Sequence, residues 1–295
     1  MGALTGSRAT GRGGAPRSGK LVLEGEVARG PASVVHAARL AGESGDPSAA
    51  RLAVKAYDPA LRVLSPDASR FEQAIDPRLA RVRRADETGE LPRDRLHRVT
   101  DLVRGAPAVL ATLGSLRALV AFWAEAASVL GAAHARGAAH GHVHPGHALV
   151  LAGTNGAAPR PFVVDAGVVL TPQAARLHPE QAALLAPEAL EELLADRPAP
   201  ATRDADVYAL AASILAALGV RPRARTLEAL LDQKRREREP VIAAAAVGRS
   251  IDGGALARVL ARALSPDRER RPRDADELGR ELAALLTEHA GGDEK

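Results

Sequence analysis

His140-Gly141-His142-Val143-His144-Pro145-Gly146-His147 gathers four of the chain's nine histidines into eight residues. In an extended segment alternate side chains share a face, so His140, His142 and His144 predict three imidazoles on one side. On that reading the stretch is a metal site, with His147 as a further nitrogen ligand and Zn²⁺ or Ni²⁺ as its ion. The residues on either side support a different reading, and the choice between the two decides the fold.

On the N-terminal side, Leu116, Leu119, Val120, Trp123, Ala127 and Leu130 recur at helical spacing. They predict a long amphipathic helix that ends near Gly137. On the C-terminal side, Ala148-Leu149-Val150-Leu151 and Pro161-Phe162-Val163-Val164-Asp165 predict two short strands around a turn over residues 153–159. Helical patterns follow at Ala189–Leu194, Asp206–Leu218 (closed by Gly219), Thr226–Arg238, Ala255–Leu264 and Asp274–Leu286.

Toward the N-terminus the pattern changes to strands. Leu21-Val22-Leu23, Val27–Val35 with a turn around Gly30-Pro31, Arg51–Tyr57 and Leu96–Val103 all read that way. A loop of Gly, Ser, Asp and Pro spans Gly42–Ser48, and Arg104-Gly105-Ala106-Pro107 reads as a linker. One helix is expected among the strands. Ser65-Pro66-Asp67 and Ser69-x-x-Glu72 are start signals, with Glu72 closing a capping box. Phe71, Ile75 and Leu79 then follow at helical spacing, and Pro77 is set to kink or end the helix.

Composition bounds the function. A chain of 295 residues holds one large domain or two lobes, and 46% apolar with 26% charged residues is the balance of a globular protein. Aromatics are only 2%, so the core is expected to be aliphatic. With no cysteine, disulfides, thiol catalysis and cysteine-based zinc sites are excluded, and a cytoplasmic location is expected. The net charge of +4 comes from 40 bases set against 36 acids, a mixed surface that does not suit nucleic acid. No run of about 18 apolar residues predicts a membrane span. Residues 1–20 carry Arg8, Arg12, Arg17 and Lys20 among Gly, Ser, Ala and Pro, with no acid, and read as a flexible basic tail that lacks the apolar stretch of a signal peptide. Arginine supplies nearly all the positive charge, so Lys55 inside the apolar strand Arg51–Tyr57 stands out. It marks either a site that wants a compact ammonium or a solvent-facing strand position.

Six short motifs fall in order along this framework. They are Ala53-Val54-Lys55; His134-Ala135-Arg136-Gly137 running into His140; Asp165-Ala166-Gly167; Ala186-Pro187-Glu188; Asp206-Val207-Tyr208-Ala209-Leu210; and Pro266-Asp267 through Arg271-Pro272. Together they resemble the protein-kinase domain, of the bacterial serine/threonine type, from about Leu21 to Leu286. The resemblance implies an α+β, bilobal protein-kinase-like fold. A small β-rich N-lobe with one helix is expected over residues 21–105 and a larger, mainly α-helical C-lobe over 106–288, flanked by the tail 1–20 and a C-terminal tail 289–295. It also implies ATP and Mg²⁺ as ligands. Lys55 is similar to the strand lysine on the α/β-phosphates and Asp165 to the metal-holding aspartate. Asp101 and Val103 lie in the hinge that offers backbone groups to adenine. Gly30 belongs to the phosphate-covering loop, which maps to Ala28, Gly30 and Ser33. Arg271 is similar to the arginine that pairs with Glu188.

Aligned in this way, the histidine stretch sits where the family has H-R-D-L-x-x-x-N. Arginine becomes Gly141, the catalytic Asp becomes His142, the usual lysine becomes His144, and the metal-binding Asn becomes His147. A neutral imidazole at 142 can accept a proton but lacks the carboxylate's charge. His144 stabilises phosphoryl charge less well than an ammonium, and His147 offers nitrogen where Mg²⁺ prefers oxygen. Pro31 removes a donor from the phosphate loop. No partner glutamate for Lys55 is evident, because Ala74 falls in that register and Glu72 reads as a cap. Thr171 is the sole hydroxyl of the segment from Asp165 to Glu188.

The resemblance with these replacements implies a pseudokinase. Such a domain is nucleotide-sensing or protein-binding, has a protein partner, and lacks efficient phosphoryl transfer. Two alternatives stay open. One is an active serine/threonine kinase that transfers the ATP γ-phosphate with His142 as base, and the other is a metal-binding protein built on the histidines, with Asp165 and His147 among the ligands.

Overall fold

In the structure, a computed structural model, residues 21–41, 51–84, 88, 91, 95–153, 157–220, 222, 224–236 and 251–287 are described. The basic tail 1–20, the loop after residue 41, the end of the helix expected to reach Arg238 and the C-terminal tail lie outside them.

The strand-forming runs pair into an antiparallel sheet in the order β1-β2-β3-β5. Its members are β1 (Leu21–Gly30), β2 (Ser33–Leu40), β3 (Leu52–Tyr57) and β5 (Leu96–Asp101). Pro31 and Ala32 close the β1–β2 hairpin from Gly30 opposite Ser33. Strand alternation sorts the residues of β3 between two faces. Val54, opposite Val99, faces a small core with Leu21, Ala38 and Leu52. Lys55, opposite Arg98, therefore points the other way, as do Ala53, opposite Thr100, and Tyr57. That second face lines the cleft between the lobes.

A separate two-stranded ribbon pairs β4 (Arg62–Leu64) with β9 (Val168–Leu170). It lays the start of the segment after Asp165 onto the N-terminal lobe. The Ser65 N–H extends the ribbon by donating to Gly167 O at 2.9 Å.

The helix expected from Phe71, Ile75 and Leu79 does not form. Only a 3₁₀ turn at Ala68–Glu72 is present, and the chain is extended again at Gln73. Asp67 makes no side-chain cap, and Glu72 lies 3.8 Å from Arg84 and does not close a capping box. The backbone groups of the segment are used elsewhere. Val82 N–H donates to Phe71 O, Ala80 N–H to Val163 O, and Arg83 N–H to Val99 O. Pro77 biases Asp76 away from helical angles, and these long-range bonds offer more than an isolated two-turn helix.

The rest of the chain is mainly helical: α1 (Leu110–Leu113), α2 (Leu116–Ala135), α3 (Pro172–Leu177), α4 (Pro179–Ala182), α5 (Pro187–Leu194), α6 (Arg203–Ala217), α7 (Leu227–Arg236), α8 (Gly253–Ala263) and α9 (Ala275–Thr287). A three-stranded sheet β6-β7-β8 (Ala106–Pro107, Ala148–Leu151, Arg160–Val163) sits at their junction with the first lobe. Ser115 caps α2 by accepting from Ala118 N–H at 3.1 Å. By length and composition α2 could cross a membrane. Here it is the core helix, with Leu119, Val120, Trp123, Ala127 and Leu130 all buried. Gly131 and Gly279 allow α9 to lie close against it, since a Cβ on Gly131 would stand 2.6 Å from Asp276 Cβ. The fold is α+β, with a sheet-rich N-terminal region and a helical C-terminal region.

Candidate functional site

The loop after α2 is held by one carboxylate. Asp206, in the first turn of α6, is buried and accepts three hydrogen bonds. His140 N–H reaches Oδ2 at 2.6 Å, Gly141 N–H reaches Oδ1 at 2.8 Å, and His134 Nε2 reaches Oδ2 at 3.0 Å. His134 Nδ1 accepts from Ala275 N–H at 3.2 Å, so its Nε2 carries the proton. Gly141 has φ 82°, and a Cβ there would meet Val169 Cγ1 at 2.7 Å and Ala201 Cβ at 2.8 Å. The left-handed turn explains why a glycine stands there, and it breaks the alternation that would have aligned three imidazoles.

The histidine rings remain neighbours, with centroids 5.0 Å apart for His142 and His147 and 5.5 Å apart for His144 and His147. Their nitrogens, however, are turned to protein groups. His140 donates from Nε2 to Val164 O at 2.9 Å and accepts at Nδ1 from His142 N–H at 3.3 Å. Burial pushes its pKa down to about 4, outweighing the pull of Asp206, so the ring is neutral. His144 Nδ1 accepts from Gly146 N–H at 2.9 Å. Among the described residues no three His, Asp or Glu side chains are grouped to hold a metal ion.

His142, which the motif order sets against the catalytic Asp of protein kinases, is 2% exposed and its Nε2 has no hydrogen-bond partner. Burial, with His147 adding to it, holds its pKa well below the ordinary histidine value. A ring so disposed is neutral and a weak base.

Asp165 has φ 65° and is the meeting point of the site. Lys55 Nζ and His147 Nε2 both bond its Oδ2, the latter at 3.1 Å, and the Tyr57 hydroxyl donates to Oδ1 at 2.9 Å. His147 Nδ1 also faces an acceptor, His142 O at 2.9 Å. Burial alone would raise the Asp165 pKa. The Lys55 and His147 charges overcome that and hold it well below the usual carboxylate range. Burial, with the same carboxylate adding to it, drives the Tyr57 pKa well up.

Mg²⁺ does not fit this arrangement. It needs oxygen ligands in near-octahedral geometry, whereas His147 presents a ring N–H and Asp165 has both oxygens taken by protein donors.

Two buried arginines complete the site. Arg98 on β5 donates to Ala166 O at 2.6 Å. Arg62 on β4 donates to Leu61 O at 2.8 Å and to the Gln181 side-chain oxygen. Burial lowers both pKa values, with Asp165 and Tyr57 pulling the other way. Above them the cleft has an inner part of about 300 Å³, lined by Val27, Val35, Ala53 and Leu149, by Asp101 at the end of β5 and by Val103, which lies beyond the strand although the sequence pattern ran it to that residue. An outer part of about 400 Å³ lies between Gly30 and the histidines. The inner part is at the small end of the range for small-molecule sites.

Lys55, Asp165, Asp101, Val103, Gly30, His142 and His147 thus border one cleft. Tyr57, Arg62 and Arg98 are site residues that the sequence reading lacked, and Asp206, which it had as the start of a motif, gains its role in holding the loop. Strand alternation from Lys55 marks Tyr57, and alternation from Thr100 marks Arg98. No local signal marks Arg62. Away from the cleft, Arg271 donates to both Glu188 oxygens, at 2.7 and 2.9 Å. Thr171 is buried, donating to Ala60 O at 2.6 Å and capping α3.

No family model matches the sequence, and no curated protein matches it. Solved structures do match. The crystal structure of the Mycobacterium tuberculosis PknI kinase domain is similar with a TM-score of 0.60 at 21% identity, covering 95% of this chain and 100% of that one. A double mutant of the same domain gives a TM-score of 0.55 at 19% identity, covering 95% and 99%. The chain has the bilobal fold of a protein-kinase domain.

Proposed function

We propose that this kinase-fold domain works as a pseudokinase, a nucleotide-sensing or protein-binding signalling module that does not transfer phosphate efficiently. The observation that carries the reading is the state of two side chains. Asp165, which would have to hold metal, is occupied by Lys55, Tyr57 and His147. His142, which would have to orient a hydroxyl, is buried, neutral and without a negative charge. Phosphoryl transfer depends almost wholly on positioning and electrostatic stabilisation, so losing the acid, the lysine and the asparagine together removes most of its support.

The active-kinase alternative needs His142 as base. Its lowered pKa and enclosed ring speak against that role. The metal-protein alternative needs free imidazole nitrogens, and those of His140 and His147 are spent on Val164, His142 and Asp165.

Thermal unfolding of the chain with ATP, with ATP plus Mg²⁺ or Mn²⁺, and with Zn²⁺ alone separates the three. A ligand present at about 100 times its Kd adds roughly 2.7 kcal/mol. A nucleotide-dependent shift without phosphate incorporation supports the pseudokinase, and if no ligand shifts the midpoint the domain is a protein-docking module only. Incorporation that disappears in His142→Ala would establish the active kinase, and a Zn²⁺ shift that disappears in His144→Ala would establish the metal protein.

A further inference from the structure

The face of the sheet that lines the cleft carries an unusual charge arrangement. Lys55 and Arg98 stand directly opposite each other on β3 and β5. Like charges in that relation destabilise a sheet unless something answers them. Arg62, which lines the outer part of the cleft together with Asp165, adds a third cation. Arg98 is 6% exposed and Arg62 7% exposed, yet among the described residues each donates only to neutral oxygens, with no carboxylate in ion-pair range. A buried guanidinium without an anionic partner is costly. Asp165, the carboxylate at the inner end of the cleft, is shared by Lys55 and His147, while the other acid of the lining, Asp101, pairs with Arg83. Three permanently basic side chains, Lys55, Arg62 and Arg98, therefore gather around the one carboxylate of Asp165.

A site that takes a polyphosphate with divalent metal has the opposite balance, with acids placed to hold the ions. Here positive protein groups occupy the space where metal charge would act, and the residues present do not suit Mg²⁺. The cleft still has an apolar slot between Val27, Val35, Ala53 and Leu149, bordered by the hinge strand, which fits a purine base. Its inner end opens onto Lys55 and Arg98, and its outer part reaches Arg62 and His147. Guanidinium groups match phosphate oxygens in geometry as well as charge.

We infer that the cleft binds a purine nucleoside di- or triphosphate without a divalent cation, with Lys55, Arg62 and Arg98 supplying the positive charge that metal ions supply elsewhere. The inference rests on the nucleotide-sensing half of the reading above and goes beyond it in naming the ionic form of the ligand. In this site Asp165 works against the ligand, because it faces the phosphates as a negative charge and competes for Lys55. In a metal-dependent site the same residue is indispensable. The two cases differ in sign.

Titration of ATP and ADP into the full chain by calorimetry, first in EDTA and then with excess Mg²⁺, tests this. Binding is expected in EDTA and is expected to be no tighter with Mg²⁺, which neutralises part of the phosphate charge. Asp165→Asn should tighten ATP binding in EDTA by roughly three- to tenfold, a gain that misfolding cannot mimic. Arg98→Gln should weaken it by about tenfold or more. Binding of wild type that appears only with Mg²⁺ or Mn²⁺ would overturn the inference while leaving the pseudokinase reading intact. Loss of binding in a folded Asp165→Asn variant would overturn it equally. Absence of ATP and ADP binding under every condition would overturn it and leave only the protein-docking half. Phosphate transfer with Mg²⁺ would overturn both.

Discussion

The Tyr57 hydroxyl donates to Asp165 Oδ1 at 2.9 Å, from a strand position two residues beyond Lys55, which bonds the other oxygen of the same carboxylate. Strand periodicity puts Lys55 and Tyr57 on one face, so a three-residue stretch of β3 delivers two donors to one acid. With His147 on Oδ2, the carboxylate is saturated by protein. A metal or substrate seeking Asp165 has to displace at least one of these groups.

Tyr57→Phe removes one hydrogen bond to a buried charged group and leaves the ring packing intact. The expected loss is about 1.5–3 kcal/mol, toward the low end because Lys55 and His147 stay in place. Urea denaturation of the two proteins measures it, and equal midpoints would mean that the bond contributes nothing.

Gly141→Ala tests the turn that presents the histidine loop. At φ 82° alanine is strained, and its methyl would press on Val169 and Ala201. A cost of about 2 kcal/mol or more is expected, from strain and overpacking together. A Gly141→Arg change, which returns the family's residue, should do more damage still, visible as a drop in the amount of folded protein and in its Tm.

Glu188 and Arg271 form a bidentate pair with both side chains buried. Burial tends to raise the Glu188 pKa, but the bonds from Arg271 bring it below the ordinary value. Removing one partner strands the other, so Arg271→Met should cost about 3–5 kcal/mol. Replacing both by apolar residues should cost less than either single change, and a double-mutant cycle reads that coupling.

Stability should fall on mild acidification. The folded-state pKa of His140, about 4, lies below its unfolded value near 6.5, so the unfolded chain takes up the proton first as pH drops. The stability tied to the neutral ring is complete above about pH 6.5, is lost progressively as pH falls toward 4, and levels off below that. About 2 kcal/mol should be gone by pH 5 from this residue alone, and His142 acts in the same direction. Asp165 and Glu188 have lowered pKa values, so their contributions are lost only below the unfolded carboxylate range and do not mask the effect at pH 5. Urea denaturation at pH 7.5 and pH 5 measures the slope, and His140→Gln should flatten it.

How much of this was legible in the sequence differs from element to element. The periodic helix around Trp123 and the strands around Lys55 and Val99 follow from pattern alone, because each buries a continuous face. The pairing of Glu188 with Arg271, 83 positions apart, came from motif order, which also placed Lys55 and Asp165 in one site but not in contact with each other. The helix expected after Ser65 failed for a tertiary reason. Phe71, Ile75 and Leu79 have the right spacing, but the backbone there bonds to Val163 and Val99, beyond the reach of any local pattern. The histidine stretch misleads in a similar way. Its alternation is real as sequence, but Gly141 in a left-handed turn and the grip of Asp206 on the loop turn it into a rigid support. Arg62 and Arg98 carry the most chemistry for the least warning, since arginine is the commonplace cation of this chain and burial is a property of the fold.

A pseudokinase, as proposed for this domain, would not transfer phosphate efficiently. That reading is tested most directly by incubating the purified chain with γ-labelled ATP and Mg²⁺ or Mn²⁺, with a mixture of protein substrates, and counting incorporated label over hours beside an Asp165→Ala control. The same background is expected from the two proteins. Label that accumulates with time in the wild type and is absent from the control would contradict it.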